Sequence, residues 1–211
     1  VKLIVGLTGG IAGGKSLVRK YFQQLGAVVV DVDKVAHEVY LPGKPAWEKL
    51  VEVFGLEILH SDQTINRQKL GRIIFSDARA REKLNRLLHP YIATALKKSI
   101  SEATLKAREG IVLVEGAIIL EQQWVPLDRV IVVISDREQQ RERLIKRDHL
   151  SWDEAEARIA AQSPWEEKIK QADFIVDNRG TEEETRKQVE QIWQKLKSHS
   201  RKDRPAKIGM I

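Results

Sequence analysis

Residues 8–17 read TGGIAGGKSL and follow directly on the apolar run LIVGL of residues 3–7. Glycines, lacking a Cβ, let successive backbone N–H groups crowd into a concavity that attracts anions. Gly9, Gly14, Lys15 and Ser16 satisfy the pattern G-x-x-x-x-G-K-S/T, and the flanks fit it too, with a strand-like run before and a helical pattern after. The stretch is therefore read as a phosphate-binding loop. Its mechanics put the main chain of Gly10, Ile11, Ala12, Gly13, Gly14, Lys15, Ser16 and Leu17 around the phosphates of a nucleotide, with the Lys15 ammonium bridging the β- and γ-phosphates. The Ser16 hydroxyl would then sit on a magnesium ion, and the helix that follows adds its positive end. An ordinary strand-to-helix turn with a surface lysine is the bland alternative; it does not require strand, loop and helix to be in register, as they are here.

The bulk numbers bound the rest. A chain of 211 residues with 42% apolar and 31% charged residues buries a sizeable core, as one domain with insertions or two small ones. Cysteine is absent, which excludes disulfides and thiolate-held metals and makes a reducing cytoplasm the expected setting. The longest apolar stretch, IVLVEGAIIL at 111–120, is too short for a bilayer and carries Glu115. The chain opens on a strand, leaving no room for a secretory signal, so no membrane role is expected. The net charge of +6, from 36 basic against 30 acidic residues, fits either nucleic acid or small polyanionic substrates. Aromatic residues make up 6%, with no Phe/Tyr-rich strand to stack bases, so nucleic acid is not expected as a partner. Part of the positive excess lies at the end of the chain, where 201–211 reads as a flexible basic tail. The histidines at 37, 60, 89, 149 and 199 show no metal-ligand spacing. His89 precedes Pro90 and reads as a structural residue at a helix junction.

Four more strand candidates follow the first: AVVVD at 27–31, IVLVE at 111–115, RVIVVI at 129–134 and DFIVD at 173–177. Each is short and apolar on both alternating faces, which suits a parallel sheet covered by helices on both sides. Helical patterns lie between them, one over Lys15 to Leu25 and one closing the chain over Glu182 to Leu196. The expectation is an α/β fold, doubly wound around a mainly five-stranded parallel sheet. Its core takes residues 1–31, 111–135 and 173–200. Two connections are longer than a crossover needs. Residues 32–110 form a helical subdomain, with helical runs at 77–88 and 92–107, and residues 136–172 form a mobile helical pair.

Ligands of such sheets collect at the carboxyl ends of the strands, so the polar residues there are the candidates for chemistry. They are Asp31-Val32-Asp33, Glu115-Gly116 and Asp177-Asn178-Arg179-Gly180. Asp33 suits a general base that orients an acceptor hydroxyl and takes its proton; alternatively, one aspartate of the pair caps a helix starting near Lys34. Glu115 could hold magnesium through water, bind the acceptor, or be a plain strand-end carboxylate. A helix starting near Asp136 would set Gln140, Arg143 and Arg147 on one face. There the two guanidiniums could clamp a phosphate, or the run REQQRERLIKRD could be a solvated face laced with opposite charges.

These residues resemble the dephospho-coenzyme A kinase family. The likeness runs from GLTGGIAGGKS at Gly6 through VVVDVDKVAHEV, VFGLEIL, NRQKLGRIIF, LNRLLHPYI, QQRERLIKR and RIAAQ to ADFIVDNRGT at Ala172. The resemblance implies a P-loop NTPase fold with a helical substrate-binding insert at 32–110 and a helical lid at 136–172. It implies phosphorylation of the ribose 3′-hydroxyl of dephospho-CoA by Mg-ATP, with dephospho-CoA and ATP as partners of a monomer or weak oligomer. It assigns the base to Asp33 and phosphate binding to Lys15. Acceptor or transition-state contacts fall to Arg67 and His89, lid contacts to Arg143 and Arg147, and the adenine side to Asn178 and Gly180; Thr8 and Glu115, at strand ends, stand beside them as substrate-binding candidates read from the sequence. The chain departs from the family at four places. Ala12-Gly13 stands for the usual Gly-Ser, Leu17 for Thr, Asn66 for Asp, and AIILE at 117–121 for Pro-Leu-Leu-Phe-Glu. Another small-molecule kinase of the same architecture is the runner-up. A GTP-dependent switch is disfavoured, because no N-K-x-D motif follows a strand.

Overall fold

The structure, a computed structural model, describes residues 2–162 and 165–198; the basic tail and His199 lie outside the described residues. In chain order the elements are β1 (Leu3–Gly9), α1 (Lys15–Gln24), β2 (Val28–Asp31), α2 (Val32–Glu38), α3 (Pro45–Phe54), α4 (Arg67–Ser76), α5 (Ala78–Lys106), β3 (Ile111–Glu115), α6 (Ile119–Gln122), β4 (Arg129–Ile134), α7 (Arg137–Asp148), α8 (Trp152–Ala160), α9 (Trp165–Ile169), β5 (Phe174–Asp177) and α10 (Glu182–Ser198). The sheet has five strands in the order β2-β3-β1-β4-β5. β1 pairs in parallel with β3 and β4, and β4 in parallel with β5.

Both faces of β3 and β4 are buried at every position, which explains why neither alternates polar with apolar residues. On one face, Leu3, Val5, Leu7, Ile111, Leu113, Ile131 and Val133 pack against Val18 and Phe22 of α1 and Val189, Ile192, Trp193 and Leu196 of α10. Phe22 and Trp193 meet with ring centroids 6.4 Å apart. Burying each such side chain contributes about 1.5–3 kcal/mol. The outer strands differ from the expectation of two covered faces: Ile175 of β5 is 43% exposed and β2 has a single fully buried residue. β2 and β5 are the outer strands of the sheet, with a neighbour on one side only.

The chain divides into two compact units, residues 31–99 and the rest. The 31–99 unit has its own core of Leu50, Phe54, Ile58, Ile65, Leu70 and Leu84. Here the structure corrects the sequence reading. The two runs expected at 77–88 and 92–107 are one 29-residue helix, α5, with Pro90 inside it. His89 therefore sits within a helix and not at a junction. An internal proline costs about 3 kcal/mol, but Leu84, Ile92, Leu96, Ile100 and Ala103 form one buried stripe that keeps helical phase through it. That burial exceeds the cost. Residues 136–172 likewise hold three helices, α7 to α9, where a pair was expected.

Candidate active site

β1 ends at Gly9, and the chain turns through residues 10–14 into α1. Gly14 is the N-cap of α1 at φ +94°, a left-handed conformation that favours glycine. A Cβ there would also fall 1.9 Å from Asn178 Nδ2. No side-chain hydrogen bond caps α1 among the described residues, and the positive end of its dipole lies at the loop, where an anion is favoured. Leu17 N–H closes the turn on the Gly14 carbonyl at 3.0 Å. The Lys15 ammonium donates to the carbonyls of Gly9 (3.1 Å) and Gly10 (2.9 Å), which holds it at the loop.

Beside the loop lies a cavity of about 510 Å³ lined by Ala12, Gly14, Ser16, Arg143, Lys146 and Arg147. Arg143 donates to the Ala12 carbonyl at 3.2 Å. Arg147 grips Asp148 through Nε (2.7 Å) and Nη2 (2.9 Å), which holds the Asp148 carboxyl below its usual range. Gln140 is buried and reaches over Gly10, where an added Cβ would come 2.5 Å from its Nε2. The opposite side of α7 turns to α8: Arg137 and Arg141 both bind Glu156, and Arg141 stacks 5.2 Å from the Trp152 ring centroid. One side lines the cavity and the other is laced with ion pairs.

Behind the loop, Asn178 is 4% exposed, donates from Nδ2 to the Gly13 carbonyl (3.0 Å) and accepts from Thr185 Oγ1 (3.0 Å). Its amide braces the loop. Arg179 folds onto Asp177 and holds that carboxyl below its usual range. At Gly180 an added Cβ would come 2.3 Å from a carboxylate oxygen of Glu184. Glu115, nearly buried at the end of β3, accepts from Arg19 Nη1 at 2.8 Å. Thr8 is buried and donates from Oγ1 to the Ala117 carbonyl at 3.2 Å.

The turn in which Ala117 replaces the family's proline has a second anchor. Lys168 of α9, 3% exposed, donates from Nζ both to that same Ala117 carbonyl (2.6 Å) and to Glu121 Oε1 (2.6 Å). Sequence reasoning missed Lys168, and it missed Lys146 in the cavity wall. It also missed Gln162, whose Oε1 accepts from the Ile11 N–H at 2.7 Å. RIAAQ was visible as a motif, but nothing in it said what its glutamine would touch.

Asp33, Arg67 and His89 belong to the 31–99 unit. α2 begins at Val32, earlier than expected, and Asp31 is its cap, accepting from Lys34 N–H at 3.0 Å. The capping role therefore falls to Asp31, and Asp33 lies in the first turn. Arg67 opens α4 and donates from Nε (3.2 Å) and Nη2 (2.9 Å) to Tyr40 Oη. His89 stands one residue before Pro90 in α5. No helix among the described residues is long and apolar enough to cross a membrane.

A parallel sheet whose first strand runs through a glycine-rich turn into an uncapped helix, beside a cavity lined by cations, defines a P-loop nucleotide-binding fold. Comparison with known proteins narrows the class. A family model described as dephospho-CoA kinase matches residues 3–184. Curated relatives named dephospho-CoA kinase include one from Geobacter metallireducens, 43% identical over 191 residues that span 90% of this chain and 95% of that protein. Another, from Carboxydothermus hydrogenoformans, is 43% identical over 92% of this chain and 94% of its own. A solved dephospho-CoA kinase from Campylobacter jejuni superposes with a TM-score of 0.67 at 29% identity, covering 94% of this chain and 98% of that one. The chain belongs to the dephospho-CoA kinase family, and it is a kinase. A shikimate kinase from Acinetobacter baumannii, at 15% identity and a TM-score of 0.51 over 94% of both chains, shares the fold alone.

Proposed function

We propose that the chain transfers the γ-phosphoryl group of ATP to the ribose 3′-hydroxyl of dephospho-CoA, giving CoA and ADP. Family membership supports the substrates. The observation that carries the chemistry is the cavity in which the amide end of α1 faces three lid cations, Arg143, Lys146 and Arg147. A loose phosphoryl-transfer transition state spreads charge over its equatorial oxygens, so catalysis is mostly positioning and charge stabilisation. In this reading the amides from Gly10 to Leu17 and the Lys15 ammonium hold the triphosphate, Arg143 and Arg147 stabilise the transferring group, and Asn178 and Gly180 border the adenine. Asp33 takes the proton from the acceptor hydroxyl. Thr8, Arg67, His89 and Glu115 serve the acceptor side, with residues 32–110 as its binding domain and 136–172 as the lid.

The residues fit magnesium only in company with nucleotide. No cluster of three or more His, Asp or Glu side chains suited to a metal occurs among the described residues. The Ser16 hydroxyl at the cavity wall is the candidate ligand, in keeping with magnesium's use of few protein oxygens and several phosphate ones. When bound, the ion neutralises developing phosphate charge. The enzyme works, in this reading, in the cytoplasm as a monomer or weak oligomer on small-molecule substrates, without nucleic acid or membrane.

The test is an ADP-release assay with dephospho-CoA, adenosine and nucleoside monophosphates as acceptors, run on the wild type and Asp33→Asn. Dephospho-CoA is expected to exceed the others in kcat/KM by at least about a hundredfold, the scale on which a polar recognition site rejects a poor analogue. Asp33→Asn is expected to lower kcat by about 10²–10⁴, the usual contribution of a general base, with ATP binding retained. Preference for adenosine or a monophosphate would transfer the site to another small-molecule kinase. Loss of ATP affinity equal to the loss of rate would make Asp33 a nucleotide ligand.

A further inference from the structure

Ser135 follows directly on β4, behind the phosphate loop. Its side chain is 2% exposed, and its Oγ has no hydrogen-bond partner among the described residues. A buried hydroxyl without a partner forfeits its bonds to water, so such groups are rare unless they serve a second state of the protein. The hydroxyl lies against the phosphate loop at position 13, which is glycine and offers no hydroxyl of its own. A Cβ added at Gly13 would stand 3.0 Å from the Gly10 carbonyl oxygen and 3.3 Å from Ser135 Oγ. The two oxygens thus flank one small gap that glycine leaves open.

Among the described residues the Gly10 carbonyl accepts from the Gly13 N–H at a long 3.2 Å and from the Lys15 ammonium at 2.9 Å. The ammonium is the stronger of the two because it is charged. It is also the group that the proposed function, on which this inference rests, sends to the phosphates. Once it leaves, the carbonyl keeps the long bond among the described residues, in a partly buried setting where an under-satisfied oxygen is costly.

We propose that Ser135 is a positioning residue for the nucleotide. As the polyphosphate draws Lys15 away, the Ser135 hydroxyl turns to the Gly10 carbonyl, directly or through one bridging water, and replaces the lost donor. A bridging water is nearly as favourable as a direct bond, and a hydroxyl rotor can turn without moving its backbone. Ser135 thereby lowers the cost of releasing Lys15 to the ligand without itself touching the nucleotide.

A merely structural serine and this positioning serine differ in sign. Ser135→Ala removes one buried oxygen that has no partner among the described residues, so the melting temperature without added nucleotide is expected to stay the same or rise. The KM for ATP and its calorimetric Kd are expected to rise by roughly three- to tenfold, the equivalent of one hydrogen bond. The KM for dephospho-CoA stays unchanged, and Ser135→Thr, which keeps the hydroxyl, recovers most of the ATP affinity. Wild-type ATP affinity in Ser135→Ala would overturn the proposal while leaving the kinase reading intact. So would a lowered melting temperature with no change in ATP KM. A wild type that binds no ATP would overturn the kinase reading itself, before any variant is compared.

Discussion

Ala12 holds a left-handed backbone at φ +52° in the middle of the phosphate loop, where the family usually carries glycine. For a residue with a Cβ that conformation costs about 1–2 kcal/mol, and Arg143 on its carbonyl helps to hold it there. Ala12→Gly relieves the steric cost but also loosens the unfolded chain by about 0.4–1 kcal/mol. The net expectation is a gain of about 0.5–1 kcal/mol in urea unfolding of the nucleotide-free protein. A loss would show that the Ala12 methyl packs favourably and that the conformation is not strained. At this scale the sequence was informative wherever chemistry is local. Gly9, Gly14, Lys15 and Ser16 follow one another in a pattern that few other structures require. The distant groups around the loop were not legible. Gln162 bonds the loop, and Lys146 lines the cavity beside it, from more than a hundred residues away, and only folding decides that Ile11 meets Gln162.

Among the elements, the fully covered strands were readable to the residue, since β3 and β4 are bounded by the same residues as their apolar runs. α5 was not, because proline is a local signal and the buried stripe that outweighs it depends on packing from other helices. The helices of residues 136–172 were misjudged in number for a related reason. α9 is five residues long, too short to show a period. Yet α9 carries Lys168, whose buried ammonium binds Glu121 and the Ala117 carbonyl and so ties the end of the 136–172 segment to the turn after β3. Removing one member of a buried ion pair costs about 3–5 kcal/mol. Glu121 keeps a 32% exposed side chain, so water can solvate its carboxylate once it is alone. Lys168→Met is therefore expected to destabilise by about 2–3 kcal/mol, at the low end for such pairs. Lys168→Met with Glu121→Met should recover a good part of it, both read by denaturant unfolding. Additive losses in the double variant would show that the two side chains act independently.

For the molecule as a whole, the excess of 36 basic over 30 acidic residues takes on a specific meaning. Three of those basic side chains line the cavity beside the loop, where they suit a polyphosphate. The fold class was legible because five short apolar runs alternating with helical patterns admit few other architectures. The division at residues 31–99 was legible only as an overlong connection, since nothing in its composition marks where one core ends and the next begins. The central claim is that phosphate passes from ATP to one hydroxyl of one acceptor. It is tested most directly by incubating the wild type with ATP and dephospho-CoA and identifying the product by mass and ³¹P NMR. The account predicts one new phosphomonoester, on the ribose 3′-oxygen, formed in equal amount with ADP and absent with Lys15→Ala. ADP released without a phosphorylated acceptor, or phosphate carried on any other oxygen, would contradict it.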